Sequence, residues 1–211
     1  MLPKTVVDIT KFEQAINNFY AALTMKNFIQ FCNQLSTLDK AASDELFDKL
    51  KTKTFQKGDY LLNEGNVCRY LYFIDKGLTK TFFYREGKEF IMRFFLENMM
   101  FTVVDSYITQ TPSTFMILAL EPTTVTCIRF DELEELCKKH HCIETFFRKL
   151  VSFSSVNMMK RIREMLEENA TERYNHFVKE NNSLLQRISL GDLSSYIGIT
   201  QVSLSRIRAK K

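Results

Sequence analysis

The chain has 211 residues, 45% of them hydrophobic and 13% aromatic, and a formal net charge of +4. That is enough apolar mass for a real core in one or two domains, and the absence of any run of about 18 apolar residues excludes a membrane-spanning helix. Three prolines and six glycines leave no room for a long flexible linker, and five scattered cysteines do not form a disulfide framework, so a reducing cytoplasm is the expected home.

The opening residues, MLPKTVVDITKFEQ, lack the apolar core of a secretory signal. Thr10 and Glu13 read as a capping box, and Phe12, Ile16, Phe19 and Leu23 follow at helical spacing, which predicts a helix from about Lys11 to Met25. A second helix is predicted from Asp39 to Leu50, with Ala42, Leu46 and Leu50 on one side. From Thr54 to Phe130 the residues favour strands, and Gly58, Gly65, Gly77 and Gly87 punctuate them. Short strands with such turns predict a small antiparallel barrel or jelly roll. Helical periodicity returns at Asp131, with Asp131 and Glu134 as a cap, a short helix to about Lys139 and a long one after His141 to about Glu168. Ile143 with Leu150 and Phe146 with Phe153 are each seven apart, the spacing of a coiled-coil seam, so these four are the expected dimer interface. Ala170 to Lys179 is a further helix.

The last stretch, ISLGDLSSYIGITQVSLSRIR, predicts two short helices crossing at a tight turn. Leu193, Ile197 and Ile199 line the first helix and the turn, Leu204 and Ile207 anchor the second, and Ser194 permits close approach. Gly198 supplies a turn conformation that a side chain resists, and Thr200 caps the second helix. Its outward face carries Gln201, Ser203, Arg206 and Arg208, followed by Lys210 and Lys211. From Leu184 onward there are five Lys/Arg and one Asp, so this end holds the whole net charge. A basic polar face on a recognition-type helix predicts double-stranded DNA as partner, with Ser189, Thr200, Gln201, Ser203, Arg206, Arg208, Lys210 and Lys211 as contacts. The alternative is a ligand-sensing or interaction module whose helix-turn-helix only packs, although packing alone would not require that face.

Lys57 and Gly58, Leu61, Glu64 and Gly65, Leu71 to Ile74, and Lys76 with Gly77 resemble the cyclic-nucleotide-binding roll. With the long helix and the C-terminal hairpin, the chain resembles a CRP/FNR-type transcription regulator, and its ending resembles the Bacteroidetes-type branch. The resemblance implies an α+β fold: an antiparallel, jelly-roll-like β-roll sensor domain over 36–130, a short helix and long dimerisation helix over 131–168, and a helix-turn-helix domain over 169–211. Residues 1–35 are then an N-terminal helical extension. It also implies a homodimer on an inverted repeat, with half-sites about 34 Å apart, and RNA polymerase as a protein partner.

The effector pocket departs from the family. The Gly-Glu pair that takes the ribose, and the Arg that takes the phosphate, have no counterpart in FLENMMFTVVDSYITQTPSTFMILALE, and no basic residue lies between Arg93 and Arg129. Burying a cyclic phosphate without a cation costs several kcal/mol, so cAMP is not expected to bind in the usual way and no cofactor is expected. Thr102, Asp105, Ser106, Ser113 and Thr114, with Met158 and Met159 from the long helix, are the candidate lining for another effector. Gln201 and Val202 stand where relatives that read the common half-site carry Arg-Glu, while Arg206 keeps a guanine-reading position. An iron–sulfur site is not expected, because Cys32 is the only cysteine in the first sixty residues. Cys137 and His141 have the i, i+4 spacing of metal ligands, but they sit at an expected helix break without a second ligand pair, so no metal is expected either. No enzyme is expected: His140, His141 and His176 lie on helical stretches, and neither Glu13 nor Asp105 has an evident catalytic partner.

Overall fold

The computed structural model of the protein describes residues 24–209. The Thr10–Glu13 capping box, most of the expected Lys11–Met25 helix, and Lys210 and Lys211 lie outside that range. At its start, residues 24–35 form a helix, α1. Met25, Phe28, Ile29, Cys32 and Leu35 fall at three- and four-residue steps, so one face is apolar. Phe28 and Cys32 are fully buried in the main core, with the Phe28 ring 6.0 Å from Phe73. This corrects two expectations. The chain is helical beyond Met25, and residues 24–35 pack into the roll rather than extending from it. α2 (Lys40–Lys49) follows, capped by Asp39.

Eight strands then build two four-stranded antiparallel sheets. β1 (Lys51–Phe55), β8 (Thr123–Arg129), β3 (Tyr70–Lys76) and β6 (Met100–Phe101) lie side by side in one. β2 (Tyr60–Leu62), β7 (Met116–Ala119), β4 (Thr79–Arg85) and β5 (Lys88–Phe95) form the other. At the β3–β4 corner Gly77 has φ 106°, and a Cβ there would stand 2.7 Å from Thr123 Cα, so the turn admits only glycine. A short helix, α3 (Val104–Thr109), interrupts the strands where the sequence offers no sustained helical period. The expected roll and the mixed α+β class are both present.

After β8 come α4 (Phe130–Lys139), α5 (His141–Glu167), α6 (Ala170–Glu180), a 3-10 turn (Asn182–Gln186), α7 (Leu190–Ile197) and α8 (Gln201–Ala209). The cap expected from Asp131 and Glu134 is displaced: Glu132 reaches back to the Arg129 N–H at 3.3 Å, while Asp131 pairs with the Arg129 guanidinium at 2.9 and 3.0 Å. None of the described helices is long and apolar enough to cross a membrane.

Asp75 on β3 carries a testable electrostatic cost. Thr126 donates to its Oδ2 at 2.8 Å, but Oδ1 is shielded without a hydrogen-bond partner. Burial pushes its pKa up to about 6, against an opposing pull from Thr126. Because the folded value is raised, the protonated form's contribution is full below about 3.8 and is lost as pH rises through about 6. Asp75→Asn is therefore expected to stabilise the fold at pH 7.5 and to be neutral near pH 4. The roughly 3 kcal/mol implied by the shift is cut to about 1 kcal/mol by solvent screening of a half-buried group. Denaturant titrations at the two pH values check this; equal effects at both would rule it out.

Candidate nucleic-acid interface

The C-terminal hairpin is built as its residue pattern demands. Ser189 caps α7, accepting from the Asp192 N–H at 3.0 Å, while the Asp192 carboxylate accepts from the Ser189 N–H at 3.2 Å. Gly198 ends α7 with φ 78°, its N–H donating to Ser194 O at 2.9 Å. Thr200 Oγ1 then accepts from the Ser203 N–H at 3.2 Å and opens α8. Leu193, Ile197 and Leu204 are buried between the helices, with Ile199 and Ile207 half-buried at the margin. Gln201, Arg206 and Arg208 are consequently exposed and Ser203 half-exposed. Gln201 Nε2 lies where a Cβ on Gly191 would come within 3.0 Å, so its amide rests over the first turn of α7, beside Ser189. Val202, exposed at 61%, shares this surface. It was not among the expected contacts, because a valine in a helical repeat reads as core; the signal was its position off the Leu204–Ile207 stripe.

The hairpin is docked on the roll. Leu78, just before β4, and Lys80 and Phe82 on it alternate toward the hairpin side. On β5 the matching residues are Ile91 and Phe94, three apart rather than two, because the β4–β5 register shifts between Thr81 and Phe82 and leaves Met92 as an extra residue. Phe94 meets Tyr196 of α7 and Phe177 of α6 at centroid distances of 5.4 and 6.4 Å. Lys80 Nζ, its side chain only 7% exposed, lies 2.8 Å from both Glu89 and Asp192. Burial pulls the Lys80 pKa down, but the hydrogen bonds to Asp192 and Glu89 outweigh it and leave it raised. Arg187 forks onto Glu97 at 2.8 and 2.9 Å and onto Glu121 at 2.6 Å. The Arg187 guanidinium holds the Glu97 carboxyl down at about 2. The sequence counted Arg187 and Asp192 in the charge of this end, yet both are spent against the roll. From Leu184 onward, the outward basic groups among the described residues are Arg206 and Arg208.

The other expected sites are redistributed. Ile143 and Phe146 are fully buried and Leu150 nearly so, all within the roll's core. They are not a free seam, and the expected interface is corrected on that ground. Phe153 is the first of the four to be exposed. Beyond it Val156, Met159, Ile162 and Leu166 continue an exposed apolar stripe, with Met158 and Met165 beside it. Met158 and Met159 stand on that exposed face, 52% and 67% accessible, rather than lining the roll. Of the other candidate pocket residues, Asp105 and Thr114 are exposed. Thr102 donates to Tyr70 O at 3.0 Å, Ser106 to Thr111 O at 2.6 Å and Ser113 to Phe115 O at 3.0 Å, so these hydroxyls are occupied by the protein itself. Cys137 closes α4 and His141 opens α5; they lie on different helices, and Cys137 packs on the core, where burial pushes its thiol up to about 12.

The sequence profile of the cyclic nucleotide-binding domain matches residues 52–140, the strands of the roll and α4. The fumarate and nitrate reduction regulatory protein of Yersinia pestis is 28% identical over 186 residues, covering 81% of this chain and 73% of its own. The chain is thus similar to a cyclic nucleotide-binding domain over its roll and to an FNR-type regulator over most of its length. Its fold is also that of solved CRP/FNR structures. FixK2 from Bradyrhizobium japonicum superposes with a TM-score of 0.67 at 16% identity, over 76% of this chain and 83% of that one. A CRP/FNR-family protein from Eubacterium rectale gives 0.67 at 16% identity, over 81% and 82%. The c-di-GMP-responsive global regulator CLP of Xanthomonas campestris gives 0.63 at 11% identity, over 82% and 91%. The Yersinia pestis protein is named as a regulatory protein and the Xanthomonas campestris one as a global regulator.

Proposed function

We propose that this protein is a CRP/FNR-type regulator that controls transcription as a homodimer, reading an inverted-repeat operator in double-stranded DNA with α8 in the major groove. The carrying observation is the division of α8: Leu204 is sunk in the shared core while Gln201, Arg206 and Arg208 are exposed outside. A hairpin that only packed would have its work done by the inner face. Arg206 reads guanine O6 and N7, Gln201 suits adenine, and Val202 offers an apolar contact to a thymine methyl. Arg208, Lys210 and Lys211 neutralise phosphate, Thr200 and Ser203 supply hydroxyls, and Ser189 acts by fixing the start of α7. RNA polymerase is the proposed protein partner.

The roll works without cAMP in this reading. What supports that is the missing basic residue together with the internally paired Thr102, Ser106 and Ser113.

The experiment is selection of bound sequences from a random DNA pool by the purified chain, with and without cAMP. The expected result is one inverted repeat, half-sites about one turn apart, bound equally in both arms. Salt-sensitive bulk binding without enrichment would count against the reading, and enrichment only with cAMP would overturn the ligand part. On the selected site Arg206→Ala should lose roughly 1–3 kcal/mol and relax one base pair, whereas Lys210→Ala should weaken all sequences alike and flatten the salt dependence. Equal loss for Arg206→Ala on operator and random DNA would reject the base-reading role.

A further inference from the structure

At the joint between α5 and α6 the fold collects a group of ligating side chains that the sequence spacing does not reveal. Glu164 and Glu168 are one turn apart at the end of α5, and His176 and Glu180 are one turn apart on α6. Asn169 caps α6 and folds it back, so the two pairs meet. His176 Nδ1 lies 3.0 Å from Glu168 Oε1 and 4.0 Å from Glu164 Oε1, and Nε2 lies 3.2 Å from Glu180 Oε1. One donor atom from each of Glu164, His176 and Glu180 falls within 4.8 Å of the others.

We propose that Glu164, His176 and Glu180, with Glu168 as a fourth donor, bind one divalent transition-metal ion of the zinc type. Tetrahedral zinc with bonds near 2.0–2.1 Å holds its donors roughly 3.3 Å apart; the ion would take Nδ1, beside Glu164 and Glu168, and Glu180 would swing from Nε2 round the ring edge to complete the set. The imidazole decides the class of ion: magnesium and calcium take oxygen alone, whereas a nitrogen with carboxylates suits zinc and its first-row neighbours. Two further observations point to a ligand. Glu168 Oε2 is shielded from solvent with no hydrogen-bond partner. A shallow surface depression of about 370 Å³, lined by Glu168, Glu172, Asn175, His176 and Lys179, opens on the Glu168–His176 side of the cluster.

Lys160 is the competitor. Its Nζ lies 2.6 Å from Glu180 and 3.8 Å from Glu164, with the Arg161 guanidinium 3.7 Å from Glu164. An ammonium balances charge but cannot use the imidazole lone pair, so a metal displaces it into solvent, where 40% of the Lys160 side chain already lies. The bound ion would pin α6, which leads into the hairpin, to the end of α5.

The test is calorimetric titration of the full chain, stripped with a chelator, with Zn²⁺, and with Co²⁺ for its tetrahedral absorption bands. One ion per chain is expected. His176→Ala and Glu180→Gln should each weaken binding by about tenfold or more. Lys160→Gln should tighten it, a gain that a merely structural ion-pair cluster does not give. Cys137→Ser with Cys142→Ser should leave it unchanged. Thermal melts of each variant confirm folding, and zinc should raise the melting temperature of the parent but not of His176→Ala. No uptake, unchanged affinity in His176→Ala and Glu180→Gln, or loss in the cysteine variant would each overturn the proposal.

Discussion

Lys80→Met is expected to cost about 3–5 kcal/mol, the penalty for removing one partner of a buried charge group. Lys80 is the hub of a triad in which Glu89 is on the roll and Asp192 on the first turn of α7. Methionine fills the stem's volume, so the loss reports charge rather than a cavity. Both carboxylates are then left desolvated between the sheet and the hairpin. Asp192→Asn in the same background should add little, because the interaction has already gone; a double-mutant cycle should give a coupling of about 1 kcal/mol or more. Strictly additive losses in denaturant melts would show that the triad does not hold the hairpin. Depressed Asp192 and raised Lys80 bracket the triad's working range. Its stability is present above about 3.8 and lost as pH falls through the lowered Asp192 value. At the other limit it is present below about 10.5 and lost as pH rises through the raised Lys80 value.

The triad also marks where sequence reading stops. The hairpin was legible in detail because its determinants are local: a capping serine three residues before Asp192, a glycine at a left-handed turn, and apolar residues at fixed steps. The roll was legible as a class because turn glycines and β-branched or aromatic runs are local too. Lys80, Glu89 and Asp192 are an internal lysine, an edge glutamate and a helix-start aspartate whose meeting depends on how two units dock. Lys80 and Asp192 are 112 residues apart, and nothing in either neighbourhood encodes the other. The Ile91–Phe94 pair was hidden for a related reason: a register shift breaks the period of two that identifies a strand face. The long helix misled because both its halves are apolar. Its N-terminal half has the roll to cover it and its C-terminal half does not, and heptad spacing alone cannot tell these environments apart.

That division of α5 makes the last prediction sharp. Ile162→Glu places a charge in the middle of the stripe from Phe153 to Leu166, where Ile162 is 47% exposed. Within one chain this is a surface substitution, so the melting free energy should move by no more than about 0.5 kcal/mol. If the stripe pairs with a second copy, two carboxylates face each other across a dry seam, and sedimentation should show a monomer where the parent is a dimer. Binding to an inverted repeat then loses the effective concentration that links its half-sites, about 100-fold or more, while affinity for an isolated half-site is unchanged. Leu150→Ala is the opposite control. That side chain belongs to the roll's core, so it should cost about 2–5 kcal/mol of stability and leave the folded fraction dimeric. A dimeric Ile162→Glu with full operator affinity would move the dimer contact off α5, and a monomeric Leu150→Ala with an intact fold would return it to the four residues first expected from heptad spacing.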